Sequence, residues 1–177
     1  MNYYNGTDLA RAFRTVRSNT IQVATELPEE KYNWAPAPDT RTLGQLLVHI
    51  AMGPGFQEHV HRHQKRTNFD GLDFPALMQQ VWAEERKPRT KAEIIQKLTA
   101  DGEDFAAWLE TLDDRFLAEP FAMPPGQTPA TKTRFEMLLG VKEHEMHHRG
   151  QLMLIERLLG QTPHLTRRMQ ERMAQRT

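Results

Sequence analysis

The sequence predicts an all-α fold: a four-helix bundle with long crossover loops and a short C-terminal helix. Three observations carry this. Apolar residues recur at helical spacing along most of the 177 residues. No segment alternates convincingly between apolar and polar residues, as a half-buried strand does. Prolines cluster in stretches that read as loops between the periodic segments. A chain of this length fits one domain, residues 1–177, with a sizeable core.

The first main helix is expected from Asp8 to Leu27, with Leu9, Phe13, Val16, Ile21 and Leu27 on one face and Pro28 at its end. Glu29 to Thr40 holds Tyr32, Trp34, Pro36 and Pro38 and reads as an ordered loop. Thr42 and Gln45 match a capping box and start the second helix, whose apolar face is Leu43, Leu46, Leu47 and Ile50. Gly53-Pro54-Gly55 predicts a kink or break, with helix resuming to about Lys65. A short helix is expected over Pro75 to Glu85, with Leu77, Val81 and Trp82 facing inward. Thr90 and Glu93 cap a third main helix from Lys91 to Leu112, its stripe Ile94, Leu98, Phe105, Trp108 and Leu112. Pro120 to Pro129 reads as loop. The fourth main helix spans Lys132 to Leu159, with Gly160 at its C-terminal cap. The tail from Thr166 adds a short amphipathic helix bearing Met169 and Met173. Four amphipathic helices with two long connections argue for a bundle with crossovers.

Composition excludes several classes. Lys+Arg and Asp+Glu are both 23, so the chain lacks the basic excess of a phosphate-backbone binder. With no cysteine there are no disulfides, thiolate ligands or cysteine nucleophile. No stretch has the order of a signal peptide, and none approaches a membrane span of about 20 apolar residues. A soluble cytoplasmic protein is expected, with no nucleic acid and no membrane as partner.

Eight histidines are many for this length, and their placement points to a site. The inward stripe of the fourth helix reads Met137, Val141, His144, His148, Leu152, Ile155, Leu159. Two histidines stand where the pattern asks for apolar residues. At i and i+4 their rings lie one turn apart on one face, within reach of one metal ion. Burying them unpartnered costs about 1–3 kcal/mol each. A metal removes that cost, and so does a hydrogen-bonded core pair. His49 borders the apolar face of the second helix. Alone it reads as a core histidine; beside the pair it becomes a candidate third ligand, since bundle metal sites draw on facing helices.

These residues resemble the DinB-like family, also called DinB/YfiT-like. The matching stretches are Leu27-Pro-Glu-Glu, Tyr32-Asn-Trp-Ala-Pro36, Thr42-Leu-Gly-Gln-Leu-Leu-Val-His49-Ile-Ala and His144-Glu-Met-His-His148-Arg-Gly-Gln-Leu152. Their order and spacing match from about Leu9 to Leu159, and the His-x-x-x-His-Arg-Gly-Gln-Leu stretch is the most specific. The resemblance implies a four-helix bundle, a homodimer and a divalent metal, often nickel or zinc, on His49, His144 and His148. It also implies small-molecule chemistry that uses low-molecular-weight thiols in part of the superfamily. Gly53-Pro54-Gly55 departs from the usual uninterrupted helix.

Three imidazoles suit zinc, nickel, copper and iron(II) alike. Gln151, Glu145 and Gln45 are the nearest polar candidates for acid–base or supporting work, with Gln151, one turn beyond His148, first among them. The expected function is a metal-dependent enzyme on a small molecule, a thiol-dependent transferase or a hydrolase. The alternatives are a non-catalytic metal-stabilised binding bundle, a packed histidine network without metal, and a His-Glu-x-x-His zinc peptidase. For the peptidase, Gln151 and Leu154 stand where an extended metzincin pattern needs glycine and histidine. His59, His61 and His63 read as a solvated face beside Arg62, Lys65 and Arg66. His147 is expected at the pocket edge, and His164 without a role.

Overall fold

The computed structural model describes residues 4–176; the outermost residues of the expected unit 1–177 lie outside them. Four helices open with the same device, in which a side-chain oxygen accepts from the backbone N–H three residues on and that residue's side chain reaches back. Asn5 and Asp8 start α1 (Gly6–Glu26), and Thr42 and Gln45 start α2 (Leu43–Gln57). Between α2 and the next bundle helix lies α3 (Phe74–Glu85). Thr90 and Glu93 start α4 (Lys91–Glu110), and the one-turn α5 (Asp114–Ala118) follows. Thr133 and Glu136 start α6 (Arg134–Leu158), and α7 (His164–Ala174) follows it.

α1 and α2 each pack against both α4 and α6. The first two bundle helices therefore lie across a diagonal, which is why their connection is long, as the crossover expectation required. Apolar side chains fill two main clusters. One joins Val23, Leu27, Leu47, Ile50, Leu98, Leu152 and Ile155; the other joins Leu9, Phe13, Phe105, Leu109, Leu138 and Val141.

Between them sits a charged pair. Arg17 and Glu145 have side chains only 4% and 2% exposed. The Arg17 Nε donates to both Glu145 oxygens at 3.1 and 3.0 Å. Its Nη1 donates to the Leu98 carbonyl at 2.8 Å and its Nη2 to the Ile50 carbonyl at 3.1 Å. One guanidinium, carried by α1, thus bonds to the other three bundle helices.

The Ile50 contact explains a departure from expectation. Gly53-Pro54-Gly55 does not break the helix; α2 continues through Pro54 to Gln57 and then loosens into a π-helical turn, Glu58–His63. A helical proline leaves the carbonyl four residues earlier without its N–H. That carbonyl belongs to Ile50, and Arg17 supplies the missing donor.

Other expectations are corrected. The loop from Pro120 contains a two-stranded antiparallel ribbon, β1 (Pro120–Ala122) with β2 (Thr131–Thr133). Three-residue strands are too short to show a period. His61 is not on a solvated face: it is 1% exposed, packed on Phe121, with Nδ1 accepting from Arg134 at 2.7 Å. The π turn rotates it inward, whereas His63 stays exposed. His164 is also buried and bonds to Asn19 Oδ1 at 3.2 Å, while Arg167 pairs with Glu26 at 2.6 Å. Together these contacts fix α7 to α1.

Candidate metal centre

The cap at Thr42 and the buried Leu46, Leu47 and Ile50 set the rotation of α2, and His49 then points into the space that α2 shares with α6 and α3. On α6, the buried Met137, Val141, Leu152 and Ile155 hold the stripe inward and carry His144 and His148 with it. The three rings meet. His49 Nε2 lies 3.1 Å from His144 Nε2, and His148 Nε2 lies 3.1 Å from the same atom. One donor atom from each residue falls within 4.8 Å of the other two.

The opposite ring nitrogens decide what these Nε2 atoms can do. His49 Nδ1 is 2.5 Å from Glu85 Oε1, and the carboxylate there only accepts, so Nδ1 carries the hydrogen. His148 Nδ1 is 2.8 Å from Gln151 Oε1, an acceptor as well. The Gln151 amide nitrogen faces His147 Nε2 at 3.4 Å. In neutral rings both Nε2 atoms are then bare lone pairs, and His144 can offer one hydrogen at most. Three nitrogens thus converge with too few hydrogens to satisfy one another.

A divalent cation resolves that arrangement. Tetrahedral ligands at about 2.0–2.1 Å from zinc stand about 3.3–3.4 Å apart, close to the two 3.1 Å separations from His144 Nε2. Two of the rings, His144 and His148, are also biased toward the neutral form that ligands need. Burial, helped by His148 and His49, pushes the His144 pKa down to about 4. Burial likewise lowers that of His148, against the Gln151 hydrogen bond.

Glu85 is the residue that sequence reasoning missed. It is the one buried residue of α3 and is 6% exposed. Its other oxygen accepts from Arg41 Nε at 2.9 Å. Burial opposes its ionisation, yet the bonds from His49 and Arg41 hold the carboxyl below its ordinary pKa. A signal existed: Glu85 continues the line Leu77, Val81 by four residues, so it too is a polar residue in an apolar stripe. Trp82, expected to face inward, is 48% exposed instead, because α3 turns its Glu85 edge to α2.

The expected acid–base candidates separate. Gln151 stands at the centre, supporting His148. Gln45 is spent mainly on the α2 cap, its Oε1 accepting from the Thr42 N–H at 2.9 Å. Glu145 does not meet the histidines. It points about 100° round the helix from His144, into the ion pair with Arg17. A His-Glu-x-x-His peptidase needs that carboxylate free as its base, and here it is bound up in the core. His147 is exposed; its Nε2 faces the Gln151 amide nitrogen, and its ring stands edge-on to that of His148 with centroids 4.9 Å apart.

A cavity of about 860 Å³ opens on one side, lined by His148, Gln151, Gln45, Arg41, Glu85 and Arg86 among others. A second, of about 1070 Å³, reaches His49 and His144 from the other side.

The DinB superfamily model matches residues 12–152. The chain belongs to the DinB superfamily. Solved structures agree at the level of fold. A DinB-like protein from Bacillus subtilis is 20% identical, with 87% of this chain and 93% of that one covered, at a TM-score of 0.62. A DinB-like protein from Bacillus cereus is 18% identical over 88% and 93%, at 0.64. YfiT from Bacillus subtilis, described as a probable metal-dependent hydrolase with an unusual four-helix bundle topology, is 15% identical over 92% and 91%, at 0.68. No curated protein matches the chain. Among the described residues of this DinB-superfamily protein, no helix is long and apolar enough to cross a membrane.

Proposed function

We propose that the protein is a metal-dependent enzyme of hydrolase or thiol-dependent transferase type that acts on a small molecule. His49, His144 and His148 hold the divalent cation, zinc or nickel ahead of iron. One observation carries the reading: three imidazole Nε2 atoms converge, which in neutral rings share at most one hydrogen. Three protein nitrogens leave coordination open, the pattern of catalytic rather than closed structural sites. A cation bound there acts as a Lewis acid and lowers the pKa of bound water or thiol.

The chain's own residues do the rest. Glu85 and Gln151 fix the tautomers and ring planes of His49 and His148, as outer partners of metal-ligating histidines do. Arg41 holds Glu85 in place. Arg86, exposed on the same cavity wall, is the cation available to a polar or anionic part of the substrate. The description of YfiT as a probable metal-dependent hydrolase supports the same class of chemistry.

Metal-reconstituted and chelator-stripped protein should be assayed on small esters, amides and phosphoesters, and on an electrophile supplied with a thiol. Turnover that requires the metal and vanishes in His148→Ala is expected. One bound equivalent of metal with no metal-dependent turnover on any of these would favour a metal-stabilised binding bundle.

A further inference from the structure

We propose that the cavity beside Gly53-Pro54-Gly55 receives an apolar arm of the substrate, an alkyl or aryl group that runs from the histidine centre toward Phe74. The proposal rests on the metal reading only for where the substrate's polar head sits.

The cavity holds about 1070 Å³, and two of the three converging histidines, His49 and His144, form part of its wall. The apolar residues of the lining include Met52, Phe56, Met78 and Val141. At the mouth Phe74 and Trp82 are 51% and 48% exposed. Large aromatic side chains left in water beside a polar centre mark a surface that a ligand covers.

Charge argues for the same occupant. Each acidic group on the lining already has a basic partner. Glu58 and Asp104 share Arg62, Glu84 pairs with Lys87 and Arg89, and Asp101 pairs with Lys97. A cationic tail would find no unpaired carboxylate among the described residues there. The buried Gln57 Oε1, without a hydrogen-bond partner among the described residues, adds one isolated acceptor to this wall.

The glycines gain a reason. Gly53 and Gly55 sit inside α2 and are not among the positive-φ residues, so no turn requires them. Glycine weakens a helix relative to alanine, so its use here calls for another cause. A Cβ at 53 would stand 3.3 Å from His144 Nδ1, and a Cβ at 55 would meet nothing within 4 Å. The first glycine gives the His144 ring its room. The second leaves cavity wall unfilled. Both fit a passage kept open along the helix to the centre.

The test is a chain-length series read by NMR of ¹³C-methyl-labelled methionines, with Met52 and Met78 assigned by substitution to leucine. Straight-chain hydroxamates from acetohydroxamate to octanohydroxamate are titrated into the zinc-loaded protein. Affinity is expected to rise about three- to fourfold per methylene as the chain is buried. Met52 and Met78 signals should move with the long chains. Met78→Glu and Phe74→Ser should flatten the series while metal content and acetohydroxamate affinity stay unchanged. In stripped protein octanohydroxamate should still move Met52 and Met78, at higher concentration. An affinity independent of chain length overturns the proposal and leaves the metal site standing. So does a long-chain ligand that shifts other methionines and spares these two. Failure to bind zinc, with the methyl shifts retained, sinks the metal reading alone.

Discussion

At the scale of single residues, the centre is governed by the atoms behind the histidines. Glu85 and Gln151 each accept a hydrogen from an Nδ1 and so turn the Nε2 lone pair toward the common point. Such supporting partners are worth about 10–100-fold in metal affinity. Glu85→Ala is therefore expected to weaken zinc binding by about that factor in a competition titration with a chromophoric chelator. The stoichiometry should stay at one. Unchanged affinity would show that the contact does not orient His49. The three histidines and Gln151 were legible in the sequence, from an interrupted apolar stripe and from resemblance. Glu85 was not read, although it breaks a stripe in the same way. It comes from a separate short helix, and no local pattern states which histidine that helix will cover. Glu145 was misassigned because sequence adjacency to His144 says nothing about facing: one residue is about 100° of helix.

At the scale of elements, the joint among α1, α2, α4 and α6 decides how the centre is held. Arg17 neutralises Glu145 and also closes the carbonyl that Pro54 leaves open. Removing one partner of a buried pair leaves an uncompensated charge, which costs about 3–5 kcal/mol. Arg17→Met should lower stability by about that much in urea denaturation, and Arg17→Met with Glu145→Leu should recover a large part of it. A loss within about 0.5 kcal/mol, the usual range of surface changes, would mean that the pair does not knit the bundle. The capping boxes at Thr42 and Thr90 were legible because they lie next to clean periodic runs. The survival of α2 through Pro54 was not, since it depends on a guanidinium 33 residues away in sequence.

At the scale of the whole molecule, the four-helix architecture and its crossovers followed from periodicity and loop length. The ribbon, the burial of His61 and the docking of α7 depend on contacts that no period encodes. Two buried groups make the stability respond to pH in opposite senses. Burial, with Glu26 nearby, raises the Glu156 pKa from 4.5 to about 7. Between those values the native chain keeps a proton that the unfolded chain has lost, so stability falls as pH rises through that window. Burial lowers the His61 pKa from 6.5 to about 4, so its contribution is lost as pH falls from 6.5 toward 4. Glu156→Gln should thus raise the melting temperature more at pH 8 than at pH 4.5, and an equal effect at both would contradict the assignment. The central claim is the three-histidine metal centre, and metal content tests it most directly. Protein purified without a histidine tag, reconstituted and dialysed, should carry about one equivalent of zinc or nickel by elemental analysis. His49→Ala and His148→Ala should each lose it, and His61→Ala should keep it. Less than about a tenth of an equivalent in the parent protein, or loss in His61→Ala with retention in the other two, would contradict the account.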